Sequence, residues 1–275
     1  RGLHGRNRAA LNLRADLIDK AGLLKSADDN DASTLGQMLK IAEDLRQLYE
    51  EKKRALQALN HAHHEVLLKL AAAAEFRDGD TGVHIVRLGL MAEKLSLLCG
   101  ETVEFGFMMR LAAPMHDVGK IGIPDHILKK PGQLTPEERQ QMNRHAEIGH
   151  QMLLSSVPLF QLAASIALTH HERFDGSGYP NGLKGHDIPL EGRVVALVDY
   201  FDALTMDRCY RKALEDEEVI GMIEAGRARH FDPELVEIFV GNIESFIKLR
   251  NHTNARCLLF KDLIHHSADD LIMAA

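Results

Sequence analysis

Two adjacent imidazoles, His170 and His171, precede the turn Glu172-Arg173-Phe174-Asp175-Gly176-Ser177-Gly178-Tyr179-Pro180. Both rings can ligate a metal ion, and a glycine-rich turn lets backbone come close to a ligand. Upstream, His116-Asp117-Val118-Gly119-Lys120 sets another imidazole beside a carboxylate and an amine. His84, His145 and Asp199 stand in similarly apolar helical surroundings. A lone histidine in such a setting is usually a satisfied core residue. Burying five of them with two aspartates would cost about 1–3 kcal/mol for each polar group left unpaired. Two cations sharing a carboxylate would satisfy them, and Asp117 can bridge because its two oxygens can face different ions. Water between two such ions loses a proton near neutrality and can attack a phosphate ester. Imidazole and carboxylate together suit iron, manganese, zinc or nickel, and ligand type alone does not choose among them.

These residues need helices to position them. The sequence predicts a long helix from Thr34 to Phe76, after a polar cluster, Ser26 to Asp31, that reads as a turn. Leu45, Leu48, Ala55, Leu59, Ala62 and Val66 fall near a/d spacing along it, with Lys52 breaking the stripe. That pattern admits two readings: a dimeric coiled coil relaying a signal from an upstream domain, or a single amphipathic helix docked on the core. From Asp78 to Leu249 the chain reads as one compact helical domain. Thr135-Pro136-Glu137-Glu138 is a capping box with proline at the first helical position, and Asp232-Pro233 starts another helix. Val194 to Val198 suits a short buried strand, but the following Asp199-Tyr200-Phe201-Asp202-Ala203-Leu204 favours helix. The expected division is an N-terminal helical region over 1–65, a catalytic domain over 66–249 and a tail over 250–275.

Composition narrows the function classes. The 275 residues are 45% hydrophobic, enough for a sizeable core, and only 5% aromatic with no tryptophan, which suits helix packing by Leu, Ala, Ile and Met. A formal charge of −7 argues against a broad surface for a nucleic-acid polymer, although a local basic cluster can still meet a small anion. Cys99, Cys209 and Cys257 form neither a disulfide framework nor a CxxC zinc site. With no signal peptide or spanning apolar run, that usage fits a reducing, cytoplasmic setting. The chain opens on Arg1 rather than Met, as expected of a piece of a longer protein. His61, His63 and His64 on the long helix and His265-His266 near the end read as solvated surface, and His150 and His230 as structural.

His116-Asp117 resembles the HD motif of the HD phosphohydrolase superfamily, and His170-His171-Glu172 through Gly178-Tyr179-Pro180 resembles the signature of its HD-GYP subfamily. The resemblance spans roughly residues 66–247 and takes in Thr81-Gly82-Val83-His84, His145 with Gly149, and Asp199 to Thr205. It implies an all-α, HD-type helical bundle preceded by a long N-terminal helical linker. It implies a bacterial phosphodiesterase that hydrolyses cyclic di-GMP to pGpG or GMP through a metal-bridging hydroxide. His84, His116, Asp117 and Asp199 would then hold one divalent ion, and Asp117, His145, His170 and His171 a second, iron or manganese first and zinc or nickel as alternatives. Lys120 would contact the scissile phosphate, Arg208 and Arg211 would grip the ligand's phosphates, and Tyr179 would shape the pocket wall. Asp202 would orient a ligand or the attacking water. The resemblance further implies protein partners at the GYP loop. Where many relatives have glutamate four residues before the first histidine, this chain has Asp80, one methylene shorter, so two ions are expected rather than three. Hydrolysis of another cyclic dinucleotide, and a catalytically silent cyclic di-GMP sensor, are the alternative functions.

Overall fold

The computed structural model describes residues 29–78, 82–206, 212–256 and 263. Among these the chain is all-α, as expected, with no strand beyond an isolated bridge between Arg227 and Phe231. The helices are α1 (Asp29–Asp78), α2 (Val83–Leu98), α3 (Val103–Ala112), α4 (Asp125–Leu128), α5 (Pro136–Asn143) and α6 (His145–Leu153). They continue with α7 (Pro158–Thr169), α8 (Leu190–Thr205), α9 (Asp216–Ala225), α10 (Pro233–Gly241) and α11 (Ile243–Ala255). Short 3₁₀ segments, Ala113–Met115 and Val118–Gly122, flank His116 and Asp117. The chain divides into two units, 1–62 and 63–275.

Helix α1 starts at Asp29, inside the cluster that the sequence marks as a turn. In the first unit Leu45, Leu48 and Leu59, members of the a/d stripe, are exposed.

In the second unit α2 is the central element. Residues from His84 to Glu93 are all buried, and the helix packs against α3, α8 and α11. Ile85, Leu88, Met91 and Leu95 are fully enclosed, as are Phe201 of α8, Phe239 of α10 and Phe246 of α11. Each such side chain contributes about 1.5–3 kcal/mol on burial, so the scaffold around the site histidines is strongly held. Sequence capping signals are realised: Thr135 and Glu138 form the reciprocal box, and the Asp232 side chain accepts the Glu234 N–H at 2.9 Å. Val194 to Val198 lies within α8; Val194, Val195, Leu197 and Val198 are all enclosed, which explains its strand-like composition. Helix α11 continues through Arg250 to Ala255, beyond the start expected for a tail. Arg250 is buried and its guanidinium meets both Asp216 oxygens at 2.5 and 2.9 Å, tying the last helix to α9.

Candidate metal centre

The site collects at helix ends. His84 is the second residue of α2, His145 the first of α6, and His170 caps the end of α7 with His171 next; Asp199 lies within α8. His116 and Asp117 sit between the two 3₁₀ segments. Adjacent residues inside a helix diverge by about 100°. At a terminus the backbone turns, and neighbours such as His170 and His171 can serve one centre.

Four of the five rings are aimed by their second nitrogen. His116 Nδ1–H donates to Ala113 O at 3.1 Å, His145 to Met142 O at 2.8 Å, and His170 to Ile166 O and Ala167 O at 3.1 Å. His84 Nδ1–H donates to Asp202 Oδ2 at 2.7 Å. Where a ring carries only this Nδ1 proton, its Nε2 presents a lone pair inward, the arrangement found behind metal-ligating histidines.

Two groups result, each with its ligand atoms within 4.8 Å of one another: Asp117, His145, His170 and His171, and Glu75, His84 and His116. Asp117 lies between them. Its Oδ1 is 3.3 Å from His145 Nε2 and 3.7 Å from His170 Nε2, while its Oδ2 is 3.2 Å from His116 Nε2. Asp199 Oδ1 stands 3.4 Å from His84 Nε2. Divalent cations fit these groups. His116 Nε2 and Asp117 Oδ1 are buried without a hydrogen-bond partner among the described residues. The His145 and His170 Nε2 atoms face each other at 3.5 Å, and two facing lone pairs repel unless a cation stands between them.

Residues 63–235 match the family described as HD domain. The chain belongs to the HD domain family. The resemblance to its HD-GYP branch agrees with the relatives found. Over 193 residues the chain is 44% identical to 3′3′-cGAMP-specific phosphodiesterase 2 of Vibrio cholerae, covering 70% of this chain and 37% of that protein. It is 46% identical over 177 residues to a cyclic di-GMP phosphodiesterase of Thermotoga maritima, covering 64% and 48%. With the cyclic di-GMP phosphodiesterase response regulator RpfG of Xanthomonas campestris it shares 43% over 214 residues, covering 74% and 56%. The chain thus spans only about a third to just over half of these relatives' length. A solved cyclic GMP-AMP-specific phosphodiesterase of V. cholerae matches in fold with a TM-score of 0.56 at 17% identity, over 74% of this chain and 53% of that one.

Within this HD domain, Lys120 Nζ sits 2.7 Å from Asp117 Oδ2. Residues 118–122 are 3₁₀ rather than α-helical, which nearly eclipses Asp117 and Lys120 at i and i+3. Burial works against the Asp117 carboxylate, but Lys120 and His116 outweigh it and hold its pKa well below the usual range. The Tyr179 ring stacks on His171 with centroids 4.7 Å apart, and burial raises its hydroxyl above the ordinary value, so it stays protonated. The Glu172 carboxylate is buried and accepts the N–H groups of Asn181 at 2.8 Å and Leu183 at 3.0 Å, closing the GYP loop on itself. Gly176 takes φ of 86°, whereas Gly178 serves close approach: a Cβ there would lie 2.3 Å from Arg173 N.

Asp202 sits behind His84. It is 1% exposed, and besides His84 it is held by Arg87 through Nε at 2.5 Å and Nη2 at 2.8 Å. Both oxygens are engaged inside the protein, so the placement is that of a residue orienting His84, not of one reaching a ligand. Asp80, Arg208 and Arg211 lie outside the described residues. Glu75 was not singled out in the sequence. A lone charge following Ala71 to Ala74 is the signal that could have found it.

The metal-free centre carries a pH signature. Burial pushes His145 down to about 4 from 6.5 and drives His171 well below its ordinary value. Burial also opposes the charge on His84, but the Asp202 hydrogen bond and the carboxylates of Glu75, Asp202 and Asp199 raise it to about 9 from 6.5. Between pH 4 and 6.5 the unfolded chain binds more protons at His145 than the folded one, so stability falls as pH drops through that window. Between 6.5 and 9 the folded chain keeps a proton on His84 that the unfolded chain releases, so stability falls as pH rises. Metal-free protein is expected to resist urea best near pH 6.5 and to lose stability in both directions, measured by denaturation at pH 5, 6.5 and 8.5.

Proposed function

We propose that the chain is a metal-dependent phosphodiesterase that hydrolyses cyclic di-GMP to pGpG or GMP. The observation that carries this reading is Asp117, which turns one oxygen toward each of two ligand groups and lies 2.7 Å from the Lys120 ammonium. His84, His116, Asp117 and Asp199 would hold one divalent ion, and Asp117, His145, His170 and His171 the other, with iron or manganese proposed first. Bound there, the ions would supply activated water near neutral pH and neutralise phosphate charge.

The chain's own residues would do the remainder. Lys120 would turn its ammonium toward a non-bridging phosphate oxygen or the departing ribose oxygen. Tyr179, neutral and stacked on His171, would border the ligand. Asp202 and Arg87 would hold His84 in orientation. Arg208 and Arg211 would grip the ligand's phosphates.

The test is anaerobic purification with metal analysis, followed by incubation with cyclic di-GMP and chromatography of products. About two ions per chain with pGpG or GMP formed would bear the reading out. Bound metal and nucleotide without turnover would make the chain a sensor instead. A second substrate reading is favoured by one finding, the 44% identity to a protein named as specific for 3′3′-cGAMP. Competition between the two cyclic dinucleotides separates these readings.

For the N-terminal helix the proposal is self-association in a coiled coil that transmits a signal from an upstream receiver or sensor, with a protein partner at the GYP loop. The exposed Leu45, Leu48 and Leu59 support it. Solution scattering is expected to give a dimer, and Leu45→Lys with Leu48→Lys a monomer; a wild-type monomer at every concentration would refute it. Among the described residues no helix is long and apolar enough to cross a membrane.

A further inference from the structure

Glu75 is the buried charge that the proposed ligand set leaves unexplained. It lies near the end of α1 and is 5% exposed. A carboxylate in that condition costs several kcal/mol unless a positive charge compensates it. Its surroundings show where that charge belongs. One Glu75 oxygen lies within 4.8 Å of the ligand atoms of His84 and His116, and the inward nitrogen of His116 is itself buried and unpartnered.

We infer that Glu75 is a direct carboxylate ligand of the cation held by His84 and His116. This rests on the two-ion reading above and adds to it. The first site would then comprise three carboxylates, Glu75, Asp199 and the shared Asp117, with two imidazoles. The second has Asp117 with three imidazoles. The two ions therefore sit in unlike coordination, one oxygen-rich and suited to a harder ion such as Mn(II), the other nitrogen-rich. The ligand also comes from a different part of the chain, since α1 precedes every motif that marks the site in the sequence.

The test is metal stoichiometry without reference to turnover. Protein stripped with a chelator is reloaded with Mn(II), desalted, and assayed by elemental analysis and electron paramagnetic resonance. Wild type is expected to retain about two Mn(II) per chain and Glu75→Gln about one, with an unchanged helical spectrum and the remaining ion bound as tightly as before. Glu75→Met, which removes the charge at similar volume, must show the same selective loss and keeps the test open if the amide destabilises the fold. Two Mn(II) retained in well-folded Glu75→Gln would overturn the inference while leaving the two-ion reading intact. Loss of both ions together would also overturn it, because the effect would not be local. Absence of metal from the reloaded wild type would overturn the two-ion reading and the inference with it.

Discussion

Asp117→Ala is expected to empty both cation sites and to lower cyclic dinucleotide hydrolysis by roughly 10³-fold or more. The reason is geometric. Its Oδ1 faces His145 and His170, and its Oδ2 faces His116 and Lys120, so one truncation removes a ligand from each group. It also leaves the Lys120 ammonium without the carboxylate that now holds it. Truncating a histidine such as His171 would weaken one site directly and leave the other's ligands in place. Elemental analysis of the purified variant, with product chromatography, measures both effects. A variant that kept its full metal complement and hydrolysed at the wild-type rate would remove Asp117 from the centre of the mechanism.

Gly119→Ala is expected to be the most damaging single-methyl change in the site. A Cβ at Gly119 would lie 1.9 Å from the His145 carbonyl oxygen and 2.5 Å from Gly149 N, so the turn and α6 meet backbone to backbone. Neither contact is with a flexible side chain, and relief requires moving one element away from the other. Overpacking costs about 1–3 kcal/mol, at about 2–4 °C for each kcal/mol in a domain of this size. The melting temperature should therefore fall by roughly 2–12 °C. The displacement would part the turn that carries Asp117 from the helix that carries His145, so metal retention should fall as well. Unchanged melting and metal content would mean that the approach is looser than the structure has it.

Much of this centre was legible because its chemistry is written in short runs. His116-Asp117 and His170-His171 put candidate ligands at adjacent positions, and the glycines beside them mark backbone contacts. The all-α fold was legible from apolar spacing and from caps such as Thr135 and Asp232. Glu75 was not, because a single carboxylate near the end of a long helix carries no local pattern; its role depends on α2 and the His116 turn packing against it. Asp202 misled for a related reason. The expectation was that it orients a ligand or the attacking water, but Arg87, distant in sequence, holds it behind His84. The start of α1 at Asp29 was not legible, because Ser26 to Asp31 has the composition of a turn.

Arg77, two residues after Glu75, donates to the carbonyls of Lys120, Ile121 and Ile123 and pairs with Asp125 at 2.8 Å. The last turn of α1 is therefore keyed into the loop that carries Lys120, as a shaft is keyed into a hub. A one-residue rotation, about 100°, would draw Glu75 and Arg77 out of register together. One guanidinium therefore sets two positions at once, that of the Glu75 carboxylate beside His84 and His116 and that of the loop that carries Lys120.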